Sequence, residues 1–282
     1  MPADHDVALV RADNPGPFTL EGTNTWVVGR DPAWVVDPGP LLGDHVRAVV
    51  AEVMRRGGLE GIVLTHDHDD HAQAVDELRL RAAEAWKRQR YGEDARGRAN
   101  LVPVFAARGN VDVMLHDGDP AGPFTAIATP GHAPDHLSYV LDDGAAFTGD
   151  AVLGRGSVFV APGGGASSRS SLGAYLDGLR RLRALPLTTI YPGHGPVVSD
   201  PQAKLDEYLA HRLDRERRLL EALDGGARSV DELLDQVWDD APAALRGAAE
   251  VTLAAHLEKL DEEGLLPVGV QRPTLAGWPT GG

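Results

Sequence analysis

Residues 65–71 read Thr65-His66-Asp67-His68-Asp69-Asp70-His71, and they follow Gly61–Thr65, a short apolar run rich enough in β-branched residues to mark a strand. On a strand-to-helix turn, His66 and His68 can point to one side while Asp70 and His71 turn inward from the first helical turn. Imidazoles crowded this closely would repel once protonated and would cost desolvation once buried, unless a cation organises them. A single histidine reads as a surface residue or a hydrogen-bonded core residue. Four nitrogen and oxygen donors at this spacing read as a metal site.

Three later turns repeat one device: an apolar strand, a glycine-containing turn, then a metal-capable side chain. Thr129-Pro130-Gly131-His132 presents His132, Phe147-Thr148-Gly149-Asp150 presents Asp150, and Tyr191-Pro192-Gly193-His194-Gly195 presents His194. With the first cluster they supply five histidines and two aspartates, enough for two ions that share a carboxylate. A one-atom bridge would place the ions about 3.5–4 Å apart, the two-metal hydrolase arrangement. Imidazole ligands favour zinc, with iron or manganese as alternatives, over magnesium or calcium. The chain of 282 residues contains no cysteine, which excludes disulfides, thiolate zinc sites, iron–sulfur ligation and a cysteine nucleophile. Any metal must be held by nitrogen and oxygen.

Working outward, Thr25–Val28 and Ala33–Val36 flank Gly29-Arg30-Asp31-Pro32 as a hairpin, and Val46, Val49, Val50, Val53 and Met54 fall at helical spacing before Gly57-Gly58. A charged helix is expected from Asp70 to about Arg90, then a polar loop over Tyr91–Asn100. Strands are expected at Val102–Ala106, Phe124–Ala128, Leu137–Leu141, Ala145–Phe147 and Thr188–Tyr191, with a helix through Leu172–Leu182 and a Gly/Ser-rich loop over Ala161–Ser171. After Pro201 the pattern becomes helical: 202–223, Val230–Val237 and about Ala243–Glu263, closed by a β-like tail, Leu265–Val270. Helix, helix, helix and ribbon is the order of a winged-helix module. We therefore expect a first domain over 1–200 and a small helical one over 201–282.

Together these motifs resemble the metallo-β-lactamase superfamily, and the likeness covers nearly the whole chain. Asn14–Leu20 with Gly22-Thr23-Asn24-Thr25, Val36-Asp37-Pro38-Gly39 and Thr129–His132 with Asp135-His136 are similar to the group around the lactamase-β-like endoribonuclease and glyoxalase II. The resemblance implies an α/β fold, an αββα sandwich of two mixed sheets, with a C-terminal winged-helix-like domain. It implies that His66, His68 and His132 bind one metal, that Asp70, His71 and His194 bind the other, and that Asp150 bridges them. The chemistry expected is hydrolysis by a hydroxide bridging two zinc ions, with Asp70 orienting it. His136 would serve either as a proton donor to the leaving group or as a structural hydrogen bond. Asp37 and Asp67 are candidates to hydrogen-bond ligating histidines. His5, His45, His116, His211 and His256 have no motif around them and read as surface or structural.

The substrate expected is a small-molecule ester or thioester. The alternatives are single-stranded RNA, for which Arg79, Arg81, Lys87, Arg88, Arg90, Arg108 and Arg155 could form a basic track, and low-level β-lactam hydrolysis. A net charge of −15 weighs against a protein built to hold polyanions. Between Gly226 and Arg272 the acidic residues outnumber the basic ones by ten to four, so DNA binding by the last domain is not expected. That domain reads as a structural cap or a substrate lid. The N-terminus lacks a basic segment followed by an apolar one, and no apolar run of 18 residues occurs. No signal peptide or membrane span is expected, and the cytoplasm is the expected compartment.

Overall fold

A computed structural model of the chain describes residues 6–92, 101–163, 170–242 and 245–275. It separates into two compact units. The larger comprises the chain through Ala128, Leu137–Gly156 and Pro186–Pro201; the smaller comprises Thr129–His136, Ser157–Leu185 and the chain from Gln202 onward.

The larger unit holds two sheets. The first has strands β1 (Val7–Arg11), β2 (Asn24–Val28), β3 (Ala33–Val36), β4 (Leu59–Val63), β5 (Val104–Ala106) and β6 (Val113–Met114), side by side in that order. The second runs β11 (Thr189–Pro192), β10 (Ala145–Gly149), β9 (Leu137–Leu141), β8 (Phe124–Ala128), β7 (Pro120–Ala121). β3 to β6 pair in parallel, as do β10 and β11, while the hairpins pair antiparallel. Alternation sorts the side chains between layers. Trp26, Val28, Val36 and Val63 face Phe124, Ala126, Tyr139 and Phe147 between the sheets. Val27, Val35, Ile62 and Val104 point to the opposite face, where Val49 and Val53 of α1 (Gly43–Arg55) and Leu78 and Ala82 of α3 (Val75–Tyr91) cover them.

The helix expected from Asp70 to Arg90 is two helices, α2 (Asp69–Ala72) and α3. The junction is pinned from outside, since the Ala74 amide donates to the Gly39 carbonyl at 3.0 Å. Strands β1, β6 and β7 were not expected; the last two are too short for periodicity to reveal.

In the smaller unit, α5 (Pro201–Asp224), α6 (Val230–Val237) and α7 (Arg246–Glu262) share one core of Leu219, Leu223, Leu233, Leu234, Val237, Leu253, Leu257 and Leu260. Ser229 caps α6 in a capping box with Glu232. The tail at Leu265–Val270 is not a strand. Leu266 and Val270 pack on the helical core, and the Gln271 amide donates to the Arg228 carbonyl at 2.8 Å. α4 (Ser171–Ala184) belongs to this unit too, and Glu258 and Glu262 of α7 accept the amides of Gly163 and Ser170 at 3.0 and 2.8 Å. The expected loop over Ala161–Ser171 is described only at its ends, as 164–169 lie outside the described residues; of the Tyr91–Asn100 loop, only Tyr91 and Gly92 are described. No helix among the described residues is long and apolar enough to cross a membrane.

Candidate metal centre

Within the larger unit the site residues leave the C-terminal ends of strands in both sheets: His66 beyond β4, Asp150 beyond β10 and His194 beyond β11. The end of β4 is tied to the second sheet, because the Leu137 amide donates to the Thr65 carbonyl at 2.7 Å and the Tyr139 hydroxyl donates to the Leu64 carbonyl at 2.7 Å. This fixes where His66 emerges. His66 Nε2 and His68 Nδ1 stand 3.0 Å apart, and Thr65 Oγ1 lies 3.0 Å from His66 Nδ1.

Asp37 sets the orientation of His71. Its buried carboxylate accepts from the Thr65 amide and hydroxyl, both at 2.8 Å, and from His71 Nδ1 at 2.9 Å. In the neutral ring Nδ1 is thereby the donor, and Nε2 is the inward-facing nitrogen that could offer an electron pair. The turn carrying Asp37 is itself bonded to α2, the Gly39 amide donating to the His71 carbonyl at 2.9 Å. Of the two aspartates expected beside ligating histidines, Asp37 is in place. Asp67 is exposed and pairs with Arg108 at 3.6 Å.

His71 Nε2 is fully buried and makes no hydrogen bond. It lies 3.5 Å from Asp70 Oδ2 and 3.6 Å from Asp150 Oδ1. His194 Nε2 is 3.3 Å from each of the same two oxygens. One donor atom from each of Asp70, His71 and His194 falls within a 4.8 Å cluster, and so does one from each of His66, His71 and Asp150. Gly193 makes room for this convergence: a Cβ there would lie 2.7 Å from both Asp150 Oδ1 and His71 Cε1.

The electrostatics agree with a cation site. Burial resists charge on Asp70, His71 and His194. The field of Asp70, Asp150 and Asp37 nevertheless holds the His71 imidazole up at about 9, and Asp150 and Asp70 hold His194 up at about 10. Burial also works against ionised Asp70, but His71 and His194 hold its carboxyl down at about 2. A cluster that favours positive charge on its imidazoles is one that a divalent ion would satisfy without protons. The donor set, the orphaned His71 Nε2 and the Gly193 cradle therefore fit a bound metal.

His132 and His136 lie on the turn after β8. His132 Nδ1 is 2.9 Å from the Phe159 carbonyl, which leaves Nε2 as its ligand-capable atom. His136 is buried, with Nδ1 2.9 Å from the Thr129 hydroxyl. His45 is buried as well, its Nε2 3.0 Å from Thr25 Oγ1 and from the Pro38 carbonyl, while His116 and His211 are exposed and His256 is fully buried. His5 lies outside the described residues.

Two supporting residues, Thr23 and Asn24, were read only as part of a resembling motif. Asn24 donates both amide protons to the turn that bears His194, at 3.0 Å to the Pro192 carbonyl and 2.9 Å to that of Gly195. The available signal was a Thr-Asn-Thr run opening an otherwise apolar strand, since polar groups buried there need specific partners.

The architecture is that of a metal-site α/β hydrolase. Residues 18–194 match the metallo-beta-lactamase superfamily, and residues 229–267 match the beta-lactamase associated winged helix domain. The chain belongs to the metallo-beta-lactamase superfamily and carries its winged-helix domain. It is 32% identical over 265 residues to a beta-lactamase-like protein 2 homolog of Caenorhabditis elegans, covering 92% of this chain and 85% of that one. It is 33% identical over 251 residues to the atrochrysone carboxyl ACP thioesterase of Aspergillus chevalieri, covering 84% and 74%. A solved metallo-beta-lactamase family protein from Thermus thermophilus superposes with a TM-score of 0.64 at 25% identity, covering 92% of this chain and 94% of that one.

Proposed function

We propose that this hydrolase is a binuclear, zinc-type thioesterase or esterase acting on a small molecule. The observation that carries the reading is the buried His71 Nε2, without a hydrogen bond and facing Asp70 and Asp150. The thioester preference draws on the thioesterase relative. Asp70, His71 and His194 would hold one ion, His66, His68 and His132 the other, and Asp150 would serve both; iron or manganese could replace zinc. Bound divalent ions would acidify water and polarise a carbonyl oxygen. With an ion bound, Asp37 would keep His71 in the tautomer whose Nε2 is unprotonated. Asp70, held ionised, is the acceptor that orients the attacking water. His136 would support the His132 turn through Thr129, or pass a proton to the leaving group. The reading puts the chemistry in residues 1–200 and gives 201–282 a structural or substrate-covering part.

The RNA reading is weaker because much of its basic track is spent on carboxylates. Arg79 pairs with Asp112 at 2.9 Å, Arg81 with Glu77 at 2.6 Å and Arg155 with Glu21 at 2.5 Å, besides Arg108 with Asp67. The test is a panel of a thioester, a carboxylic ester, a β-lactam, a phosphodiester and single-stranded RNA, run on wild type and Asp70→Ala with elemental analysis of both. Thioester or ester turnover that disappears in Asp70→Ala, with close to two ions per wild-type chain, is expected. RNA cleavage without thioester or ester turnover, or a metal-free active protein, would overturn the reading.

A further inference from the structure

The segment Asn14–Thr23 precedes every residue so far given a part in the chemistry, yet it reaches Asp70. Thr23 is fully buried, and its Oγ1 lies 3.2 Å from Asp70 Oδ2 and 3.0 Å from Asn14 Nδ2. The Thr23 amide donates to Asn14 Oδ1 at 2.9 Å. That last bond fixes the Asn14 side chain, since a backbone N–H requires the oxygen opposite it. The Asn14 nitrogen must then face the Thr23 hydroxyl and donate to it. The hydroxyl has one proton, which cannot go back to Asn14, and the acceptor before it is Asp70. The order Asn14 to Thr23 to Asp70 thus follows from donor and acceptor chemistry alone.

The segment is held for this task. The Thr19 hydroxyl donates to the Asn14 carbonyl at 2.6 Å, the Gly22 amide to the Thr19 carbonyl at 2.8 Å, and the Gly16 amide to the Leu20 carbonyl at 3.1 Å. Thr23 also pairs with His194 in an isolated antiparallel bridge, so its backbone is registered on the turn that carries another of the cluster's imidazoles. Only one oxygen of Asp70, Oδ2, meets the Thr23 hydroxyl, and that same oxygen faces His71 and His194.

We propose that Thr23, oriented by Asn14, is a positioning residue that fixes the Asp70 carboxylate, so that Oδ2 stays turned toward His71 and His194. The inference rests on Asp70 being a ligand, as proposed above. Removing a hydrogen-bond partner of a ligating group costs about 10–100-fold in metal affinity or activity.

The test compares Thr23→Val, which keeps the β-branched shape and loses the hydroxyl, with Thr23→Ser, which keeps the hydroxyl, and with Asn14→Asp, which keeps the acceptor for the Thr23 amide but offers the hydroxyl a competing carboxylate. Each is read by cobalt titration of the metal-stripped protein and by kcat and KM. In Thr23→Val the weaker cobalt equivalent should bind about 10-fold less tightly or worse, with kcat down by a similar factor and KM nearly unchanged. Thr23→Ser should recover most of both losses, and Asn14→Asp should move in the direction of Thr23→Val. Wild-type cobalt affinity in a folded Thr23→Val, or Thr23→Ser as impaired as Thr23→Val, would overturn the proposal. Should Thr23→Val fail to fold, Asn14→Asp decides by the same readings. Asp70→Ala runs alongside: if it keeps both equivalents, the ligand reading has failed; if it loses one while Thr23→Val loses nothing, only the present proposal has.

Discussion

At the scale of one residue, Gly193 shows how little space the centre has. Gly193→Ala puts a methyl 2.7 Å from Asp150 Oδ1 and from His71 Cε1, against two groups that are themselves fixed, His71 by Asp37 and Asp150 by its place at the end of β10. The methyl cannot be absorbed by a flexible neighbour. The expected outcome is a folded protein with at least one metal equivalent lost and turnover reduced by about 10–100-fold, checked by circular dichroism beside elemental analysis and steady-state rates. Unaltered metal content would mean that the two strand ends can separate. The five histidines and two aspartates stood out in the sequence as candidate ligands because their side-chain types have few other uses at such spacing. The contacts made by Gly193, Thr23 and Asn24 were not readable, because their partners lie across the fold and a small or neutral residue carries no chemistry of its own.

At the scale of elements, strand ends are positioned by side chains that reach across from other strands. Asn24 opens β2 and holds the Pro192–Gly195 turn with both amide protons, while the Trp26 indole N–H also donates to the Pro192 carbonyl at 3.0 Å. Asn24→Ala would strand the buried Gly195 carbonyl and weaken the hold on Pro192, at a cost of about 1–3 kcal/mol for each acceptor left unsatisfied. Urea unfolding should give a lower midpoint with an unchanged slope; a midpoint within error of wild type would show that the turn is held without the Asn24 side chain. The hairpin β2–β3, α1 and strands β8 to β11 of the second sheet were readable because alternation and helical spacing are local. The break between α2 and α3 was not, since it is made by Gly39, more than thirty residues upstream, accepting the Ala74 amide. The tail at Leu265–Val270 reads as strand by composition, but its side chains satisfy the helical core and its amides find no partner strand.

At the scale of the molecule, stability should depend on acid and on metal for separate reasons. His256 is fully buried in the smaller unit, neither ring nitrogen makes a hydrogen bond, and its surroundings are Arg212, Lys259, His211 and Arg215, with Glu216 4.0 Å away. Burial, then the nearby cations, push its imidazole down to about 3. Above pH 6.5 folded and unfolded forms are both neutral there and nothing is lost. As pH falls below 6.5 the unfolded chain takes up a proton that the folded chain refuses until about pH 3, so stability drops by up to about 1.4 kcal/mol per pH unit from this group. His256→Leu should therefore raise the melting temperature more at pH 5 than at pH 8, and an equal gain at both would show that the folded imidazole takes up its proton as readily as the unfolded one. Metal enters through the distance along the chain between groups that end as neighbours. His71, on α2 after β4 of the first sheet, and His194, beyond β11 of the second, have ring centroids 5.2 Å apart. In a protein without cysteine, an ion shared by such residues is a reversible staple that closes a long loop, and closing a loop of about 100 residues restricts the unfolded chain by about 4.7 kcal/mol. Stripping the ions with a chelator should lower the melting temperature, and unfolding should broaden as the two sheets lose their common fastening. Availability of the ion would then set how long the folded chain persists, as oxidising conditions do for a disulfide-bonded protein.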